Sequence, residues 1–183
     1  MLRKIVSELF VSLDGVVHAD DDWQYPYFDE QMFAQLSGAW ARAGSAAMGR
    51  RSFQGYNALR TQHPDSPMLA FLERADRFVA STTLRETGWP GTTLLRDGVA
   101  ELAALKRQPG EDILLCGSPS LVRGLLAQGL LDELNLLVLP AVVGSGARLF
   151  PEPPSETDLN RLHLKLARSS AFDSGVLSLK YVP

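Results

Sequence analysis

Residues 112–121 read Asp112-Ile113-Leu114-Leu115-Cys116-Gly117-Ser118-Pro119-Ser120-Leu121. A short, unbroken apolar run is the pattern of a strand buried on both faces. Gly117 ends that run. Ser118 at a helix N-cap and Pro119 at the first helical position then open a helix reaching about Ala127. Strand, glycine turn and helix in one stretch are the repeating unit of a parallel sheet.

The same grammar extends in both directions. Towards the N-terminus, Ile5 to Val11 is a second buried strand ending at the turn Ser12-Leu13-Asp14-Gly15. From Tyr27 to about Ala43, Phe28, Met32, Phe33, Leu36 and Trp40 recur at helical spacing; Pro26 stands at the helix start and Gly44 at its end. A strand from Ser45 to Met48 follows, then helical turns over Phe53 to Leu59, a proline-containing loop over Thr61 to Pro67, and a helix from Met68 to Arg74. Strands are predicted at Asp76 to Ser81 and Thr92 to Leu95, a helix at Val99 to Arg107, and a strand at Glu133 to Leu139. Pro151 to Pro154 reads as a short rigid loop, and Asp20-Asp21-Asp22 as a solvated acidic one. After that the rhythm changes to a period of two, over Leu162 to Phe172 and Val176 to Tyr181 around the turn Asp173-Ser174-Gly175, as in an antiparallel hairpin. The expected fold is a single α/β domain over residues 1–183, a three-layer α/β/α arrangement with a mostly parallel central sheet and a C-terminal antiparallel hairpin.

Composition narrows the function. With 45% hydrophobic residues over 183 positions, the chain can bury one sizeable core but not two comfortable ones. Eighteen Lys and Arg against 21 Asp and Glu leave a net charge of −3, so there is no basic surplus to draw a nucleic acid onto the surface. Cys116 is the one cysteine, which excludes an internal disulfide and any multi-cysteine metal site; a small buried hydrophobe is its expected role. His18, His63 and His163 lack metal-ligand spacing, and no metal is expected. No apolar run approaches the ~20 residues that span a membrane. A cytoplasmic protein is expected.

Ligands of such sheets bind beyond the carboxyl ends of the strands. Three junctions there carry suitable groups. Gly49-Arg50-Arg51-Ser52 places two bidentate anion donors beside a helix start, although an exposed turn would also account for it. Gly117-Ser118-Pro119-Ser120 has the form of a pyrophosphate site at a helix N-terminus, without the Gly-x-Gly-x-x-Gly fingerprint, and simple helix capping explains it equally. Ser81-Thr82-Thr83 could hold a ribose or end a strand. The glycine loop from Ala141 to Gly146 is a fourth element, as readily a plain turn as a ligand contact.

The ordered set of Val11-Ser12-Leu13-Asp14-Gly15, Met48-Gly49-Arg50-Arg51-Ser52, and Ile113 to Phe150 with Cys116-Gly117-Ser118-Pro119-Ser120-Leu121 and Pro140-Ala141-Val142-Val143-Gly144-Ser145-Gly146 resembles the dihydrofolate-reductase-like superfamily. It is most similar to the reductase domain of the bifunctional riboflavin-biosynthesis deaminase–reductase and its stand-alone relatives, over nearly the whole chain. The resemblance implies an NADPH-dependent oxidoreductase acting on a small heterocycle, such as 5-amino-6-(5-phosphoribosylamino)uracil, and a homodimer. It implies that Gly49, Arg50, Arg51 and Ser52 hold the cofactor phosphates and that Ser81 and Thr82 lie beside the adenosine ribose. Gly117, Ser118, Ser120 and Leu121 would form the pyrophosphate-binding helix start. Val11, Ser12 and Asp14 would approach the nicotinamide and substrate, Asp14 as a catalytic candidate. The chain departs from the family in having Gly117-Ser118 in place of a Gly-Gly pair, and it lacks the deaminase's zinc signature. A pterin or folate reductase, or a non-catalytic nucleotide-binding oligomeric module, are the rival readings.

Two further expectations concern the substrate. Trp23, Phe28 and Met32 are expected to form an apolar wall for a planar ring, with core packing as the alternative. Asp29, if buried beside those rings, would have a raised pKa and serve as the proton donor; a carboxylate facing water in a first helical turn is the other reading.

Overall fold

Along Asp112–Cys116 the side chains alternate between two cores. Ile113 and Leu115 pack with Leu102, Leu121 and Leu125 on one face of the sheet. Leu114 and Cys116 pack with Ala39, Phe53 and Leu72 on the other. Burial on both sides is why this strand reads as an unbroken apolar run. The computed structural model describes residues 2–19, 23–151 and 162–183.

The described elements are, in chain order, β1 (Ile5–Ser12), β2 (Val16–His18), α1 (Glu30–Arg42), β3 (Ala43–Gly49), α2 (Arg50–Gln62), α3 (Pro67–Arg74), β4 (Asp76–Ala80), β5 (Thr92–Leu95), α4 (Gly98–Lys106), β6 (Asp112–Cys116), α5 (Pro119–Ala127), β7 (Glu133–Leu139), β8 (Ala147–Arg148), β9 (Lys165–Ala171) and β10 (Leu177–Val182). Eight strands form one sheet in the order β5-β4-β3-β6-β1-β7-β10-β9. The pairings from β5 through to β7 are parallel, and β10 and β9 close the sheet as an antiparallel hairpin. Residues of α4 and α5 belong to the core on one face, and residues of α1, α2 and α3 to the cores on the other. This is the expected three-layer α/β/α arrangement. β2 and β8 pair separately as a two-stranded ribbon.

Several boundaries differ from the sequence reading. Helix α1 begins at Glu30, because Pro26 sits in a separate 3-10 turn over Tyr25–Tyr27. Gly44 does not end α1: Ala43 is already extended and Gly44 lies within β3, where a Cβ would meet the Glu111 carboxylate. The helical turns at Phe53 are part of a 13-residue helix, α2, and Pro67 opens α3 where a loop was expected to end. In the hairpin, period-two alternation does not translate into burial; Leu162, Leu166 and Leu177 remain exposed. The loops expected at Asp20-Asp21-Asp22 and beyond Pro151 fall mostly outside the described residues.

The order β3-β6-β1 matters for the site. It sets the carboxyl ends of three neighbouring parallel strands, at Gly49, Cys116 and Ser12, side by side. A ligand lying across them meets all three following loops at once.

Candidate functional site

A cleft of about 2030 Å³ opens over these strand ends. Its polar floor is made where α2 and α5 begin. The Gly49 amide donates to Ser118 Oγ at 2.6 Å, and the hydroxyls of Ser118 and Ser52 are 2.9 Å apart. Ser118 occupies the N-cap position of α5, yet its hydroxyl makes no capping bond to that helix. The capping role expected from sequence is therefore replaced by a clasp between the two loops. Ser118 is also left-handed (φ 62°, ψ 61°), following left-handed Gly117 (φ 65°). Such a conformation costs a non-glycine residue about 1–2 kcal/mol and is typical of sites where backbone amides are turned towards a ligand. At Gly117 any side chain would meet Ser52 Oγ at 2.9 Å, so glycine is required there by both conformation and space.

Two helix N-termini thus converge on one spot, each with unpaired amides and the positive end of its dipole. Arg50 and Arg51, both exposed at the start of α2, line the same cleft, as does Ser120. Arg50 reaches across to Thr83 Oγ1 at 2.8 Å. Deeper along the helix, Phe53 and Arg60 of α2 pack on Trp89 of the same loop after β4, the Phe53 and Trp89 ring centroids 6.2 Å apart and the Arg60 guanidinium 4.9 Å from the Trp89 ring. Ser81 has its hydroxyl occupied, accepting from the amides of Thr83 (3.3 Å) and Leu84 (3.0 Å), and Thr82 is exposed. Neither Ser81 nor Thr82 lines the cleft. Leu121 and Val11 are buried core residues away from the cleft wall.

At the turn after β1, Ser12 and Asp14 are fully engaged with the fold. Ser12 Oγ donates to Asp14 Oδ1 at 2.6 Å and accepts from Val16 N at 2.9 Å. Asp14 also accepts from the amides of Val143 (3.0 Å) and Gly144 (2.9 Å), with Arg148 Nη2 at 3.6 Å from Oδ2. The Ser12 hydroxyl and then these two amides hold the Asp14 carboxyl at a pKa of about 2. It is a carboxylate that pins the 141–146 loop, and it cannot carry a proton to a substrate near neutrality. Gly146 closes that loop against the β2–β8 ribbon; a Cβ there would collide with the His18 carbonyl.

The expected apolar wall is rearranged. Phe28 lines the cleft, 44% exposed, with its ring 5.3 Å from Phe10 and 5.8 Å from Tyr25. Met32 does not: it is fully buried against Leu36, Leu137, Leu139 and Val176, and Trp23 packs partly buried on the same cluster. Sequence periodicity places Met32 on the buried side of α1 but cannot distinguish core from pocket. The cleft instead receives Phe10, Phe33, Leu36 and Trp40. Asp29 is the N-cap of α1, accepting from Met32 N at 2.8 Å. That amide bond, and then the Ser174 hydroxyl, lower its pKa, opposite to what a proton donor requires.

The acid that sequence reading passed over is Glu8, in the middle of β1. It lines the cleft, and Gln35 Nε2 donates to its Oε1 at 2.9 Å. Burial raises its pKa, opposed by the Gln35 bond and by the charges of Arg42 and Lys180. Its neighbour across the sheet is Cys116, whose thiol is pushed up to about 12, first by burial and then by Glu8. The signal in the sequence is one acid inside the apolar run Ile5 to Val11, a position that costs stability unless it is used.

The profile of the RibD C-terminal domain family matches residues 3–178. The Bacillus subtilis protein YyaP, itself uncharacterized, is 28% identical over 98% of this chain and 94% of its own length. Among solved structures, the deaminase/5-amino-6-(5-phosphoribosylamino)uracil reductase of Thermotoga maritima superposes with a TM-score of 0.69 at 14% identity, over 99% of this chain and 56% of that one. Dihydrofolate reductase from Enterococcus faecalis, in complex with NADP(H), superposes with a TM-score of 0.65 at 15% identity, over 98% and 95% of the two chains. At these identities the structures establish a shared dihydrofolate-reductase-like fold. With a profile match spanning almost its entire length, the chain belongs to the RibD C-terminal domain family.

Proposed function

We propose that the protein is an NADPH-dependent reductase of a small pyrimidine-type heterocycle, of the class of 5-amino-6-(5-phosphoribosylamino)uracil. The observation that carries this is the convergence of α2 and α5 on the Gly49–Ser52–Ser118 clasp, with Arg50 and Arg51 alongside. Two helix N-termini and two guanidinium groups fit a pyrophosphate and a further phosphate, and in this fold they fit a dinucleotide laid across β3, β6 and β1. The family match and the NADP(H) complex of a protein of the same fold support the choice of cofactor.

Bound NADPH supplies a hydride; the chain supplies position and surroundings. Gly117 lets the backbone approach the pyrophosphate, and Arg50 and Arg51 neutralise its charge. Phe10 and Phe28 present ring faces on which a planar substrate stacks and from which it excludes water. Asp14 and Asp29, both held as carboxylates by hydrogen bonds, are assigned scaffolding roles and no proton transfer.

Fluorescence titration of the full chain with NADPH and NADH tests the reading. Saturation by NADPH at micromolar concentration, with weaker NADH binding, is expected. Failure to bind either at high micromolar concentration overturns it in favour of a non-catalytic module. We also propose a homodimer. Among the described residues β9 is a sheet edge with no further strand beside it, and Leu162, Leu166 and Leu177 stand exposed at the hairpin, a surface that a second copy would cover. Light scattering at tens of micromolar is expected to give twice the chain mass; a monomer mass removes the proposal.

A further inference from the structure

Glu8 has no structural task that accounts for it. It sits on a central strand of the sheet, beside Cys116, one residue before the cradle at Gly117. It forms no salt bridge with a described residue: the Lys180 ammonium, one of the two cations that influence it, lies 2.6 Å from Glu133. Yet it is held in one orientation. Gln35 Nε2 donates to Oε1 at 2.9 Å, and Gln35 is itself fixed by Ser178 Oγ, which donates to its Oε1 at 2.6 Å. Three elements, β1, α1 and β10, therefore cooperate to aim one carboxyl group. Its other oxygen, Oε2, accepts no hydrogen bond from any described residue, and the group lines the cleft among Phe10, Leu36, Trp40 and Tyr56.

A carboxylate with one oxygen held by Gln35 and the other accepting from no described residue, set in a largely apolar part of the cleft, is placed to accept from a ligand's N–H groups, which would add to the partial compensation that Gln35, Arg42 and Lys180 give its burial. We propose that Glu8 is the substrate anchor, accepting the adjacent ring N1–H and exocyclic 6-N–H of an aminouracil stacked in the apolar end of the cleft. Gln35 and Ser178 are its positioning residues. This assignment deepens the function proposed above and rests on it for the choice of ring. The charged and titratable groups around Glu8 are Arg42 from α1, Lys180 from β10 and Cys116 from β6; Tyr56 of α2, whose pKa burial raises, lines the same cleft. The thiol and phenol stay neutral near pH 7, so the pH response belongs to the carboxyl. Binding weakens as the pH falls and Glu8 takes up a proton.

The test is calorimetric titration of the full chain with 5,6-diaminouracil, with and without saturating NADPH, alongside the NADPH titration itself. Glu8→Gln is expected to bind the probe at least tenfold more weakly and NADPH within twofold of the parent. The 1-methyl derivative of the probe, which lacks N1–H, should lose a similar factor on the parent and little more on Glu8→Gln. That comparison needs no variant to fold. Gln35→Leu should move the pH midpoint of probe binding upward, since it removes a donor to the charged form; a purely structural role for Gln35 would leave the midpoint in place. Probe affinities of parent and Glu8→Gln within twofold overturn the anchor, as does a parent that binds NADPH but not the probe. A parent that binds the probe through Glu8 but ignores NADPH keeps the anchor and overturns the cofactor reading.

Discussion

The two ends of the cleft are built on opposite principles. At the phosphate end, four groups from two strand-to-helix junctions satisfy one another: Gly49, Ser52 and Ser118 are joined by bonds of 2.6 and 2.9 Å, and Gly117 leaves the space they need. Its residues fall in two short stretches at strand ends, and its backbone geometry is defined by two consecutive left-handed residues. At the other end, Phe10 from β1, Phe28 from the segment before α1, and Leu36 and Trp40 from α1 surround a carboxyl from β1. These residues meet only because the sheet order brings them together. On the proposed function, the first end is complementary to the cofactor's anion, common to every user of the cofactor, and the second has the shape that selects the substrate. Such a division lets chemistry remain constant while specificity changes.

The sharpest way to break this comparison is at the arginines. Replacing both Arg50 and Arg51 with Ala is expected to weaken NADPH binding by ~2–4 kcal/mol, from two charge-assisted contacts, without touching heterocycle binding. A fluorescence titration showing the double variant within twofold of the parent would move the phosphate site elsewhere. Next in size is Ser118→Ala, which leaves a left-handed alanine and strips the Gly49 amide and Ser52 hydroxyl of their partner. It should cost ~2 kcal/mol of stability in urea denaturation. Ser118→Gly loses the same bonds but relieves the backbone, so it should cost less; equal losses would mean that the left-handed conformation carries no strain.

Phe28→Ala sharpens the other end. Removing ~100 Å² of apolar ring contact, less ordering costs, should weaken heterocycle binding about tenfold and leave NADPH affinity nearly unchanged. Equal losses for both ligands, measured by calorimetry, would make Phe28 a packing residue. The smallest effect concerns Asp14. Its folded pKa of about 2 lies below the ordinary value of 3.8, so its contribution is complete above pH 4 and is lost as the pH falls towards 2. Asp14→Asn should therefore melt below the parent at neutral pH, and the two curves should meet near pH 2. A difference that persists unchanged below pH 2 would show that the carboxylate charge is not what pins the 141–146 loop.

Hydrophobic runs, turn residues and the change from helical spacing to alternation were enough to read the layered α/β fold, its strand at Asp112–Cys116 and its terminal hairpin. Each rests on local preferences that neighbouring residues share. The glycine–arginine and glycine–serine junctions were legible as strand-to-helix turns for the same reason: such turns are local objects, built from consecutive residues. Local signals could not decide which apolar residues of α1 face the cleft. Met32 and Phe33 are adjacent and both apolar, yet Met32 lies at 0% exposure in the core and Phe33 lines the cleft. Nor could they show that Asp29 caps a helix, that Ser118 clasps a loop 69 residues away, or that Gln35 and Ser178, 143 residues apart, aim the carboxyl of Glu8. Those facts depend on long-range pairing, since burial and hydrogen bonding set the protonation and direction of a side chain only after distant strands have closed around it.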